Sequence, residues 1–181
     1  MMKRAIPGLE YRPNFLNATD EQQLVDVMRE SRLQRTWPWK PYRRSRWHRV
    51  SFGWEYTAAS RPLRKARLEL PPLLATWRDR CGDIARVQTL DQVSVNWYPP
   101  GAGIGAHIDA PLYGEMILVL SLASIAKIQW KEKATGKSIT TTIEPRSLYI
   151  MTDDARWRWS HQVLPVPVER YAIVFRTRSE K

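Results

Sequence analysis

One cysteine in 181 residues, Cys81, leaves no internal disulfide and no cysteine-based zinc site. Long apolar runs are missing too: a stretch such as Met116–Leu120 falls far short of the roughly 20 residues that cross a bilayer, so no membrane insertion is expected. The opening residues, Met1–Pro7, carry no apolar signal segment, and an intracellular chain is expected, with cytoplasm, nucleoid and nucleus not distinguished. Internal repeats and low-complexity tracts are absent. Acidic residues are the scarcer sign, 18 Asp+Glu against 29 Lys+Arg, for a net charge of +11. What is present, 43% hydrophobic and 26% charged residues, suits a packed core and excludes wholesale disorder. The length suits one domain, expected to span residues 1–181.

The positive excess is uneven, +9 over residues 1–90 and +2 over residues 91–181. Arg32 to Arg49 holds Arg32, Arg35, Lys40, Arg43, Arg44, Arg46 and Arg49 without one acid, interleaved with Trp37, Trp39, Tyr42 and Trp47. Two readings stay open. Cations for phosphates and aromatic faces for unstacked bases are what a single-strand or flipped-base binder needs, and a solvated face over inward-turned aromatics has the same composition.

Helical signals come early. Asn17 or Thr19 can cap a helix to about Leu33, with Asp20 and Glu21 in its first turn and Leu24, Val27 and Met28 at helical spacing. A second helix is expected from Leu73 to Cys81, after Pro71-Pro72 and before Gly82 as a stop. From residue 90 the pattern turns to strands at 91–98, 116–122, 125–130, 138–143, 147–152 and 170–177. This order argues for an α+β domain built on a β-sandwich or jelly roll, with a change of layer near residue 90.

His107-Ile-Asp109 follows a strand and a glycine-rich loop, and in extended backbone residues i and i+2 point the same way. Imidazole and carboxylate can then share a metal. Two histidines and a carboxylate, leaving open positions, form the facial triad of non-haem Fe(II) oxygenases. Of the other two histidines, His48 sits in the basic aromatic segment and His161 after a strand-like stretch, and His161 is chosen as the third ligand. Asp153 and Asp154 suit a turn. On Val93–Tyr98, Ser94, Asn96 and Tyr98 share a face. On Arg170–Arg176 the two terminal arginines share a face with Ala172 and Val174, a layout suited to a dicarboxylate. Six residues of strand rise roughly 20 Å, so the arginines must lean together or one alone must grip.

Together these motifs resemble the AlkB-like branch of the Fe(II)/2-oxoglutarate dioxygenases. The resemblance rests on Asn96-x-Tyr98, Gly101-x-Gly103-Ile-Gly-Ala-His107-x-Asp109, Ser121-Leu122, Pro145–Thr152, Trp159-Ser-His161 and Arg170-x5-Arg176, and extends to Ile6–Leu9 and Gly53–Tyr56. It implies a double-stranded β-helix over residues 91–181, preceded at 1–90 by helices and a nucleotide-recognition lid. It implies Fe(II) on His107, Asp109 and His161, 2-oxoglutarate held by Asn96, Tyr98, Arg170 and Arg176, and O2 as co-substrate. The expected reaction yields succinate and CO2 and hydroxylates or demethylates a modified base of DNA or RNA, N-methyl groups leaving as formaldehyde, as in DNA repair or RNA modification. Arg43, Arg44, Arg46, Trp47 and Trp54 are the expected nucleic-acid contacts, a single-stranded or flipped-base substrate the expected partner, and a monomer the expected state. Pro111 stands where relatives that repair cationic methylated bases usually carry an acid, which counts against classical repair, and the His107-Ile-Asp109 triplet is instead similar to the branch that hydroxylates tRNA wobble uridines. The same metal centre acting on a protein side chain or small molecule is the alternative.

Overall fold

The computed structural model describes residues 6–42, 44, 46–57, 60–87 and 89–179. Among them the chain runs β1 (Leu9–Arg12), α1 (Ala18–Leu33), β2 (Lys40–Tyr42), β3 (Trp47–Thr57), β4 (Ser60–Lys65), α2 (Pro72–Ala85), β5 (Gln92–Tyr98), β6 (Ile104–His107), β7 (Tyr113–Leu122), β8 (Ala126–Glu132), β9 (Ser138–Ile143), β10 (Ser147–Met151), α3 (Asp153–Trp157), β11 (Trp159–Val163) and β12 (Arg170–Arg178). The larger sheet has the order β1-β10-β7-β12-β5-β3-β2, with β4 paired to β3. The smaller sheet has the order β6-β11-β8-β9. All these pairings are antiparallel, and the two sheets form a jelly roll within an α+β fold.

Strand alternation decides which side chains reach the site. On β5 and β12, Val93, Val95, Ile173 and Phe175 face outward and bury Leu24 and Met28 of α1 and Leu74 and Trp77 of α2. The next residues along, Tyr98, Ala172 and Val174, face inward and pack with Ile128, Trp130 and Val163 of the smaller sheet. Leu24 and Met28 are 0% exposed, and truncating either to Ala would cost about 2–5 kcal/mol. The first helix is capped as its sequence suggests: the Asn17 side chain accepts from the Asp20 N–H at 2.8 Å, above Asp20 and Glu21 in the first turn.

Four expectations need correction. Gly82 does not stop α2, which continues to Ala85; the left-handed Arg86, at φ 54°, ends it by turning its N–H back to Gly82 and Asp83. His161 does not end a strand begun at Ala155. Asp153 and Asp154 instead open a short helix, and His161 is the middle residue of β11. β7 starts at Tyr113 rather than at residue 116. Nor do the layers divide at residue 90, because β1, β2 and β3 belong to the larger sheet and β3 pairs directly with β5, Val50 opposite Val95 and Phe52 opposite Val93. Aromatic and arginine residues on β3 hid that strand behind a composition that suggested a lid.

Candidate active site

β6 pairs with β11 so that His107 lies opposite His161, and their ring centroids are 4.4 Å apart. Asp109, two residues past His107, is buried beside them, with Oδ2 3.6 Å from His161 Nε2. One ligand atom from each of the three lies within 4.8 Å of the others. His107 Nδ1 donates to the Gly105 carbonyl at 2.8 Å, which fixes the tautomer and leaves Nε2 free as a ligand. Burial alone would raise the Asp109 pKa, but Arg176, then His161 and His107, outweigh it and hold the carboxyl well below the usual range. Burial, helped by His107, pushes His161 down to about 3, so its imidazole is neutral at physiological pH. Two imidazoles and a carboxylate suit a divalent cation.

Arg170 is 1% exposed on β12. Its Nη2 donates to Ser121 Oγ at 3.0 Å and its guanidinium lies 4.9 Å from the Tyr98 ring. Nε and Nη1 of Arg170 and Oδ1 of Asn96 are buried with no hydrogen-bond partner among the described residues. Unpaired guanidinium N–H groups in an apolar interior are costly, and a carboxylate is the ligand that would satisfy them. The chain thus fits a dicarboxylic acid at Asn96, Tyr98 and Arg170. Arg176 has another occupation: Nη1 donates to Gln92 at 2.7 Å, while Nε and Nη2 both serve Asp109. The two arginines therefore have different partners within the protein, Arg170 on Ser121 and Arg176 on Asp109 and Gln92.

A cavity of about 570 Å³ is lined by the three candidate ligands, by Asn96, Tyr98 and Arg176, and by Tyr42, Trp47 and Arg49; Arg170, buried 4.9 Å from the Tyr98 ring, is not among the residues that line it. Trp47 is brought to the site as expected. Its ring stacks on Tyr42 at 4.1 Å and 8°, and on Tyr98 at 6.3 Å and 19°, a three-ring pile running from the cavity floor to the surface. Trp54 is not brought there. It lies seven residues along β3, roughly 20 Å away, under the Arg178 guanidinium. Trp37 and Trp39 pack on the helix side against Phe52 and Trp97. Arg44 and Arg46, in the β2–β3 turn, border a shallow depression with Gly101, Gly103 and Gln162, which shares Ile104, Gly105 and Val163 with the main cavity. Arg43 lies outside the described residues.

Sequence reasoning missed Arg156, which is buried on α3 and donates to four backbone carbonyls between Asp109 and Gly114. Nothing in Ala155-Arg-Trp-Arg-Trp159 separates it from the exposed Arg158. Tyr42 was among the aromatic residues expected to stack on a base and Arg49 was visible only as a member of the basic run, and the pairing of β2 with β3 brings both to the cavity lining.

A family model described as the 2OG-Fe(II) oxygenase superfamily matches residues 8–175. The "Alkylated DNA repair protein ALKBH8 homolog" of Arabidopsis thaliana is 29% identical over 184 residues, covering 87% of this chain and 51% of that protein. The Mus musculus "tRNA (carboxymethyluridine(34)-5-O)-methyltransferase ALKBH8" is 29% identical over 175 residues, covering 87% of this chain and 25% of that protein. The chain thus spans about half the length of the first of these relatives and a quarter of the second. The solved structure of OsALKBH1 superposes with a TM-score of 0.71 at 17% identity, over 97% of this chain and 99% of that one, a likeness of fold. No helix among the described residues is long and apolar enough to cross a membrane.

Proposed function

Because the chain belongs to the 2OG-Fe(II) oxygenase superfamily and is an AlkB-like dioxygenase using Fe(II) and 2-oxoglutarate, we propose that its substrate is a modified base in a single strand of DNA or RNA, or one flipped from a duplex. The observation that carries this reading is the Tyr42–Trp47–Tyr98 pile at the cavity mouth, with Arg49 at the rim and Arg44 and Arg46 in the adjoining turn. Aromatic faces accept an unstacked base, and cations beside them meet its phosphates. A protein hydroxylase has no need of that combination.

In this reading residues 1–181 form one catalytic domain, and His107, Asp109 and His161 hold Fe(II). Asn96, Tyr98 and Arg170 hold 2-oxoglutarate, its far carboxylate on Arg170, while Arg176 borders the cavity that Asn96 and Tyr98 line and orients Asp109. The metal and its co-substrate, when bound, would supply hydroxylation of a C–H bond by O2, one oxygen atom going to the substrate and the other to succinate as 2-oxoglutarate loses CO2. The protein supplies placement: the stacked rings hold the base, the apolar walls of Ile117, Val119 and Val174 exclude water, and Arg170 fixes the co-substrate.

The charge of the lining narrows the base. Asp109 is the one carboxylate on the cavity wall among the described residues, and it is paired with Arg176, whereas Arg49 stands at the rim. No anion is left to meet a cationic methylated base. A neutral base or one with an acidic substituent fits better, as does hydroxylation of a wobble-type uridine, a reading also supported by the tRNA substrate in the name of the mouse relative.

The test is succinate formation with Fe(II) and 2-oxoglutarate, comparing oligonucleotides with cationic 1-methyladenine, neutral N6-methyladenine, 5-substituted uridines and no modification. Stimulation by the neutral bases is expected. Stimulation by 1-methyladenine alone would refute the charge argument, and equal turnover with every oligonucleotide would refute the nucleic-acid reading.

A further inference from the structure

Arg156 is 2% exposed, and among the described residues no carboxylate lies within ion-pairing distance of it. Its partners are four backbone carbonyls, two in the loop after β6 and two at the start of β7. Nη1 donates to Asp109 at 3.0 Å, Nη2 to Ala110 at 2.9 Å and to Tyr113 at 3.0 Å, and Nε to Gly114 at 3.0 Å. Trp157 covers the guanidinium at 3.9 Å, and its own indole N–H is held by Glu115 at 2.7 Å. No single helix or strand holds all four carbonyls, which come from the loop before β7 and its first two residues. They converge because a planar fork of five N–H groups sits at the centre, an arrangement that the compact ammonium of Lys cannot reproduce.

The loop so gathered starts at Asp109 and supplies Ala110, Pro111 and Tyr113 to the cavity wall. Its tether is five residues before His161, on the helix that leads into β11. Arg156 therefore joins the segment carrying the carboxylate to the one carrying the second histidine, without touching either ligand's side chain. We propose that Arg156 is a positioning residue: its guanidinium sets residues 109–114, and with them the Asp109 carboxylate and the wall facing the substrate, before any metal arrives. The inference rests on the metal-site reading above.

The experiment measures Mn(II) affinity by electron paramagnetic resonance on chelator-treated wild type, Arg156→Lys and Arg156→Ala, each with its melting temperature. Both variants should bind Mn(II) about 10- to 100-fold more weakly, and added guanidinium, but not ammonium, should restore part of the affinity of Arg156→Ala. Unchanged affinity with a lowered melting temperature would reduce Arg156 to a structural role and overturn the proposal. If neither variant folds, amide exchange on the wild type decides. The Tyr113 N–H, bonded to the Ala110 carbonyl at 3.1 Å, should be protected equally without and with Mn(II). Protection that appears only with the metal would overturn the proposal. A wild type that binds no Mn(II) would overturn the site reading and this inference with it.

Discussion

Arg176 places both Nε and Nη2 on a single oxygen of Asp109, Oδ1, at 3.0 and 2.7 Å, while Oδ2 faces His161 Nε2 at 3.6 Å. The carboxylate is thereby divided into a tied oxygen and a free one. A tied oxygen fixes the plane of the group and keeps it ionised. The free oxygen is left to bind a metal through one atom.

Replacing Arg176 by Met removes that tie and leaves a buried carboxylate uncompensated. Iron affinity should fall about 10- to 100-fold, and the melting temperature of the metal-free protein should drop by an amount matching about 3–5 kcal/mol. Calorimetric titration with Fe(II) under anaerobic conditions, alongside thermal unfolding, checks both. Undiminished iron affinity would separate Arg176 from the metal site.

Arg170→Lys keeps the charge and loses the fork. The KM for 2-oxoglutarate should rise about tenfold or more, since charge-assisted hydrogen bonds contribute about 1.5–3 kcal/mol, and iron affinity should change little. Steady-state succinate assays over a range of 2-oxoglutarate concentrations read the effect. An unchanged KM would place the distal carboxylate elsewhere.

Tyr42 is 37% exposed and lies flat on Trp47, so Tyr42→Ala removes the outer ring of the pile with little loss of core. Stacking on one aromatic side chain contributes about 1–3 kcal/mol per base, which predicts an oligonucleotide KM about 5- to 150-fold higher. Trp54→Ala, made as a comparison remote from the cavity, should leave that KM near wild type. Equal effects from the two would remove the special role of the pile.

Glu169 ties α1 to the sheet by accepting from Arg29 at 2.9 Å, from Arg32, from the Trp97 indole at 3.1 Å and from the Tyr171 hydroxyl at 3.2 Å. Burial raises its pKa, and Arg32 and Arg29 outweigh that, so the folded value lies below the unfolded one. The folded state therefore binds the proton less readily than the unfolded chain, and this stabilisation is complete above the unfolded pKa and lost as the pH falls through the folded one. The melting-temperature gap between wild type and Glu169→Gln should be widest near neutrality and narrow from about pH 5 to pH 3. A gap that stays constant over that range would contradict the assignment.

Cys81 is fully buried, and burial pushes its thiol up to about 12. It stays protonated through neutral pH, so iodoacetamide at pH 8 should leave the folded protein unlabelled and react only after denaturation. Mass spectrometry distinguishes the two, and labelling of the folded protein would mean that the α2 face opens.

What the sequence determined by itself lies close together along the chain. The i, i+2 geometry of His107 and Asp109 and the alternation on β5 and β12 are properties of extended backbone, so the faces that Asn96, Tyr98, Arg170 and Arg176 present were legible from residue order. The cap at Asn17 was equally local. Long-range pairing decided the rest. Register between β6 and β11 sets His161 opposite His107 across more than fifty residues. Pairing of β3 with β5 carried Trp47 to the cavity and left Trp54 behind, although both are tryptophans on one strand. The split duties of Arg170 and Arg176, and the whole role of Arg156, depend on which acceptors the fold brings within about 3 Å, a distance that no local pattern encodes.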